Sequence, residues 1–132
     1  MLHMTKVAVG CSDLPALKRR VEARATDGEV QVDTRFRPTR ADEVVGGSLY
    51  WIVKHRLVAR QRVLRFQDGG DGRQRIVVED RLVPVRPKPK RAHQGWRYLP
   101  AADAPADFDG DDDGVAALPP RLLLKLSALA LV

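Results

Sequence analysis

A chain of 132 residues has room for one domain built on one core, and a second full core is not expected. Its single cysteine, Cys11, rules out an internal disulfide framework and a zinc–thiolate cluster. The formal charge of +6 is unevenly spread: residues 1–100 hold 21 of the 23 cations and 11 of the 17 acids, a net +10. The other six acids are Asp103, Asp107, Asp109, Asp111, Asp112 and Asp113, with no cation among them. A basic body followed by an acidic run points to a polyanionic partner and a solvated or self-shielding loop.

In chain order, "TKVAVG" alternates Val7 and Val9 and predicts a first strand. "CSDLPALKRRVEARATDG" predicts a helix capped by Ser12 or Asp13, with Pro15 in its first turn and Gly28 at its end. Leu14, Leu17, Val21 and Ala25 form its apolar face. "EVQVDTRF" alternates strictly, with Val30, Val32, Thr34 and Phe36 on one side. Thr39, three residues before Asp42, resembles half a capping box and predicts a helical turn ending at Gly46-Gly47. "SLYWIVKHRLVARQRVLRF" is too long for one ordinary strand and divides at Lys54-His55-Arg56 into a hairpin. "QDGGDGRQ" is a loop, and "RIVVEDRLVPV" supplies one or two strands, the last held to a sheet edge by Pro84.

A proline-rich basic arm follows, "RPKPKRAHQGWRYLP", then an acidic loop over 101–117 and an apolar helix over 118–132 opened by Pro119-Pro120. The expected class is α+β: a small, mostly antiparallel sheet or barrel with a helix near each end, in one domain over 1–132. "KVAVGCS" is too short for a signal peptide. "LLLKLSALALV" is about half a membrane span. The expectation is a cytoplasmic protein, monomer or homodimer, without a membrane partner.

"LYWIVKHRLVARQRVL", "RPKPKRAHQGWRYL" and "DAPADF…LPPRL" resemble an uncharacterised alphaproteobacterial family, a domain of unknown function. The opening "KVAVGCSDLPAL" is similar too, so the resemblance covers nearly the whole chain. Members commonly carry glycine where His55 stands, which suits a hairpin turn. The family has no assigned activity. A second resemblance, carried by "TRFRPTRADEVVGGSLYWIVKHRLVARQRVLRF", is to PUA-like barrels and their ASCH and EVE relatives. It implies RNA or modified-base binding.

Two basic constellations carry the functional expectation. Arg35, Arg37, Lys54, Arg56, Arg60, Arg62 and Arg65 lie on strands expected to be neighbours, with Arg60 and Arg62 on one face. Arginine binds phosphate bidentately and stacks on bases, so such a row can track a nucleic-acid backbone. The alternative is a solvated face whose arginines pair with Asp33, Glu43 and Glu79. In the arm, Pro87 and Pro89 favour extended backbone that holds Lys88 and Lys90 away from the body. Arg91, Gln94 and Arg97 flank Trp96 and Tyr98, a pattern expected of a stacking platform among phosphate-binding cations. Tryptophan is usually well buried, so Trp96 is expected to anchor the arm and Tyr98 to stack.

Catalytic signals are sparse. His3, His55 and His93 lack metal-ligand spacing, and Cys11 after a strand reads as buried and inert. Asp109-x-Asp111-x-Asp113-Gly114 begins like a calcium loop, but Pro120 stands where the bidentate glutamate belongs. No cofactor or metal is expected. The leading reading is RNA or other nucleic-acid binding. The alternatives are a nucleotide- or RNA-acting enzyme using Lys54, Tyr50 or His93, and an interaction module docking through the apolar C-terminal helix.

Overall fold

The computed structural model describes residues 1–70 and 72–108. The rest of the expected acidic loop and the C-terminal helix lie outside the described residues. In chain order the elements are β1 (Leu2–Val7), α1 (Leu14–Arg24), β2 (Glu29–Thr34), α2 (Ala41–Val44), β3 (Ser48–Val53), β4 (Arg56–Asp68), β5 (Gln74–Glu79), β6 (Val83–Pro89) and β7 (Trp96–Pro100). The strands form a mixed open sheet in the order β2-β5-β4-β3-β1-β7, with β6 also on β4. Only the β1–β3 pair is parallel among these pairings. The class is α+β.

Local chemistry accounts for each element. Asp13 accepts the Ala16 N–H at 2.8 Å and starts α1, Pro15 occupies its first turn, and Leu17 and Val21 are buried. Leu14 is only half-buried, because it sits at the helix entrance. The helix stops at Arg24 and not at Gly28. Asp27 and Gly28, with φ of 53° and 79°, instead turn the chain between Thr26 and Glu29, which exchange backbone hydrogen bonds of 2.8 and 3.0 Å. Lys54 and His55, with φ of 49° and 61°, form the two-residue turn of the β3–β4 hairpin where the sequence divides.

Three sequence expectations change. Strand β1 ends at Val7, so Val9 is 73% exposed and not part of an alternating face. Strand β2 ends at Thr34, which turns Phe36 outward, 70% exposed. Arg40, not Thr39, precedes α2, and no side chain caps that single turn. Its buried Ala41 and Val44 hold it instead.

The sheet has two packed faces. Directly paired residues share a face, so Leu2, Met4 and Lys6 of β1 lie with Leu49 and Trp51 of β3 and with Trp96 and Tyr98 of β7. The larger core fills this side, with Leu17 and Val21 from α1 and Val30, Val32, Ile76 and Val78 from β2 and β5. Tyr50, Ile52, Leu57, Val85 and Leu99 form the smaller core. Pro84 stands in β6, which pairs with β4. The Pro84 carbonyl accepts the Phe108 N–H at 3.0 Å, and Arg86 donates to Ala106 at 2.8 Å, so the 106–108 segment lies against β6. The arm is therefore a strand of the sheet over 83–89 and does not stand away from the body.

Gly47 packs closely against backbone. A Cβ there would lie 2.3 Å from the Leu2 carbonyl oxygen and 3.0 Å from that of Val44. Gly47→Ala should therefore lower stability by about 1–3 kcal/mol in chemical denaturation. His55→Gly should raise it by about 1 kcal/mol, since left-handed backbone strains a residue with a Cβ. A Gly47→Ala protein with the wild-type midpoint would show that β1 shifts freely to admit the methyl group.

Candidate functional site

The two ends of the strand order, β2 and β7, border one groove. Asp33, Thr34, Arg35 and Phe36 form one wall, and Gln94, Gly95 and Trp96 form the other. Lys6 of β1 and Arg73 complete the lining of a cavity of about 710 Å³. The Trp96 indole N–H donates to the Phe36 carbonyl oxygen at 3.1 Å and ties the two walls together. Trp96 also packs edge-to-face on Tyr98, 4.8 Å between ring centroids, and borders the larger core. It anchors the C-terminal part of the arm.

Tyr98 is engaged rather than presented. Its hydroxyl accepts the Arg40 backbone N–H at 3.0 Å, and the Arg40 guanidinium lies 5.7 Å from its ring. Arg40 is itself held by Glu43 through bonds of 2.6 and 2.7 Å. The exposed aromatic at the groove is Phe36.

Lys6 occupies a position that the β1 pattern would give to an apolar residue. It is half-buried, in register with Trp51 on one side and Trp96 on the other. Burial lowers its pKa from the ordinary lysine value, and the nearby Asp33 carboxylate opposes that shift. Lys6 and Asp33 also line a second cavity of about 300 Å³, which runs past Trp51 and Gln61 under α1. Arg75 donates to Asp33 at 3.2 Å and fixes that carboxylate.

A separate concavity of about 370 Å³ contains His3, Ser48, Tyr50, Arg60, Arg62 and Asp107. The His3 Nδ1 accepts the Ser48 N–H at 2.9 Å, and its ring stands edge-on to Tyr50 at 5.2 Å. Burial lowers the His3 pKa, helped by the N-terminal ammonium group and Arg60. Arg60 makes two 2.7 Å bonds to Asp107 and one of 3.0 Å to Ser48. The Arg60 hydrogen bonds hold the Asp107 carboxyl below its ordinary value. This pair fastens the 106–108 segment to β4.

The predicted residues therefore separate. Arg35 and Gln94 meet at the groove. Arg62 lies in the other concavity beside the engaged Arg60. Exposed Arg37 stands within 4.0 Å of Asp42, with its guanidinium 6.0 Å from the Phe66 ring. Lys54 is exposed on the hairpin turn, and the adjacent His55 carbonyl accepts the Lys90 N–H at 2.9 Å. The Lys88 ammonium donates to the Asp103 carbonyl at 2.7 Å. Arg91 is exposed on the loop after β6, and Arg97 is exposed on β7 across from Thr5. Of the residues in the enzyme alternative, Tyr50 is 4% exposed, while the His93 Nε2 lies 2.7 Å from the Thr5 hydroxyl. Among the described residues no group of three or more His, Cys, Asp and Glu side chains could hold a metal ion. No described helix is long and apolar enough to cross a membrane.

Residues 4–132 match the family described as Protein of unknown function (DUF1489). The chain belongs to that family. No curated protein and no solved structure matches it. The groove residues of this DUF1489 chain that the sequence patterns give no binding role are Lys6, Asp33, Phe36 and Arg73. One signal was available for Lys6: Leu2, Met4 and Lys6 alternate, so a cation continues an apolar face.

The His3 geometry predicts a pH effect. A histidine whose pKa is lowered by folding contributes stability above its unfolded value, about 6.5, and that contribution is lost as pH falls through the folded value. His93, also lowered chiefly by burial, acts in the same direction. His3→Asn keeps an acceptor for the Ser48 N–H and removes one titration. Its melting temperature should fall less than that of the wild type between pH 7 and pH 5, roughly the window below the unfolded value. Parallel curves for the two proteins would remove His3 as a source of the acid sensitivity.

Proposed function

We propose that this protein binds single-stranded nucleic acid, RNA in the first instance, in the groove between β2 and β7. The supporting observation is the convergence of Lys6, Arg35, Arg73 and the exposed Phe36 on one cavity of about 710 Å³. That volume falls within the range of small-ligand sites, about 300–1,000 Å³. An exposed ring offers a stacking surface to a base of any sequence, and the surrounding cations suit phosphates. Gln94 and Gly95 belong to the loop that also carries Lys90 and Arg91, which supports including these cations in the reading. The finer reading of the open sheet as a PUA-like barrel is part of this proposal, and the approach of its two end strands across one indole hydrogen bond supports it.

The test is a salt titration of the binding of a short single-stranded RNA, followed by fluorescence anisotropy. Phe36→Ala should cost about 1–3 kcal/mol at fixed salt. Arg35→Ala should weaken binding across sequences and flatten the salt dependence by about 0.7 log units per log unit of salt. Substituting Lys90 and Arg91 together by alanine should flatten it by roughly twice that. Folded wild-type protein without measurable affinity at low salt would reject the proposal.

A further inference from the structure

Lys6 and Asp33 line the same cavity, and phosphate binding has no use for the carboxylate. A groove that only tracked a phosphate backbone would gain nothing from a carboxylate in its wall. Asp33 is a cost to anion binding, yet it lines the same cavity as the half-buried Lys6 and interacts with it electrostatically. Together they present an ammonium donor beside a carboxylate acceptor. Arg75 takes one bond to Asp33 Oδ1, which orients the group, and a carboxylate has about four acceptor positions. The Asp33 side chain is 61% exposed, so the carboxylate is open to a ligand.

The edges of the bases differ in what they ask of such a pair. Guanine presents one acceptor, O6, next to two donors, N1–H and the 2-amino group. That is the complement of one ammonium and both oxygens of a carboxylate. Adenine, cytosine and uracil each offer Lys6 and Asp33 one matching donor face at most, and leave a carboxylate oxygen without a base partner. Guanine is also a purine, with the larger face to lay on the Phe36 ring. Trp96, its N–H already committed to the Phe36 carbonyl, serves as a fixed wall and not as a reader.

Resting on the nucleic-acid reading of this groove, we infer that the groove is a guanine site: Asp33 accepts N1–H and the 2-amino group, Lys6 donates to O6, and Phe36 stacks on the ring. The cations Arg35 and Arg73 then lie beside the base position, where its phosphate leaves the groove. Base identity is read at one nucleotide, while the strand on either side is held by charge alone.

The experiment uses the full chain and three mononucleotides, 5′-GMP, 5′-IMP and 5′-AMP, titrated by calorimetry at low salt. IMP is GMP without the 2-amino group, so the GMP-to-IMP ratio isolates the contact assigned to Asp33. GMP should bind about tenfold more tightly than IMP or AMP, as expected for loss of a designed hydrogen bond. Asp33→Asn should bring the GMP-to-IMP ratio close to one, with an unchanged melting curve because the side chain is exposed. Lys6→Met should weaken GMP and IMP alike, since both carry O6. Equal affinities for GMP and AMP, with single-stranded RNA still bound, would overturn the guanine assignment and leave the groove reading standing. A GMP preference that survives Asp33→Asn would overturn it as well. Failure of every nucleotide and of RNA to bind would remove both.

Discussion

Strand β4 is the constraint on which the other elements depend. Its first half pairs with β3 and with β6, and its second half pairs with β5. Register shifts interrupt it against all three partners, at Trp51/Ile52, Leu57/Ala59 and Val63/Arg65. Each bulge bends a strand and increases its twist. A 13-residue strand therefore serves as two, carrying the sheet from the β1 side to the β2 side without a break. Inside the bend lies Gln61, fully buried, accepting from the Trp51 indole and donating to the Glu79 carbonyl, both at 2.8 Å. A buried amide satisfied on both sides fixes one relative placement of β3, β4 and β5, whereas an unsatisfied one would cost several kcal/mol, roughly 1–3. That placement brings β2 round toward β7 and creates the groove.

How much of this was legible depended on the range of the forces involved. The β3–β4 turn, the Asp13 cap and the alternation of Val30, Val32 and Thr34 are local, and the sequence displays them directly. The stop at Arg24 was missed because Gly28 is equally at home after a helix and in an Asp-Gly turn. Only the pairing of Thr26 with Glu29 decides between them. The arm was misread for a related reason: prolines at 84, 87 and 89 argue for extended backbone, but extended backbone is common to a free arm and to an edge strand. The candidate site was the least legible part. Lys6, the Asp33–Phe36 run, Arg73 and the Gln94–Trp96 run come from four places in the chain, and nothing local joins those four.

Arginine abundance also hid which cations are committed within the fold. Arg60 is bound to Asp107, Arg65 to Glu29, Arg40 to Glu43 and Arg75 to Asp33. The exposed pairs contribute little to stability, because water and salt screen them. Their consequence is positional. Arg65 crosses from β4 to Glu29 on β2, and Arg75 crosses from β5 to Asp33, so they brace the strand that forms one groove wall. A basic composition thus supplies braces first and a binding face second, and composition alone cannot separate the two.

The location of the groove follows from a general difficulty of open sheets. The last strand at each end exposes unpaired N–H and C=O groups, which invite pairing with another chain. Natural sheets blunt such edges with charge, proline and close covering. Here β2 carries outward Asp33 and is followed by Arg35 and Arg37, while β7 carries outward Arg97 and ends at Pro100. The two edges face each other across the Trp96–Phe36 hydrogen bond instead of facing solvent separately. Of these charges, Asp33 and Arg35 line the one concavity that lies between the two edges. An edge defence concentrated in this way becomes a polar, cation-rich pocket with an aromatic at its mouth, and a binding site needs few residues beyond those. Lys6 is the exception. It belongs to a central strand, its partial burial carries a desolvation cost, and neither edge protection nor core packing calls for an ammonium between two tryptophans.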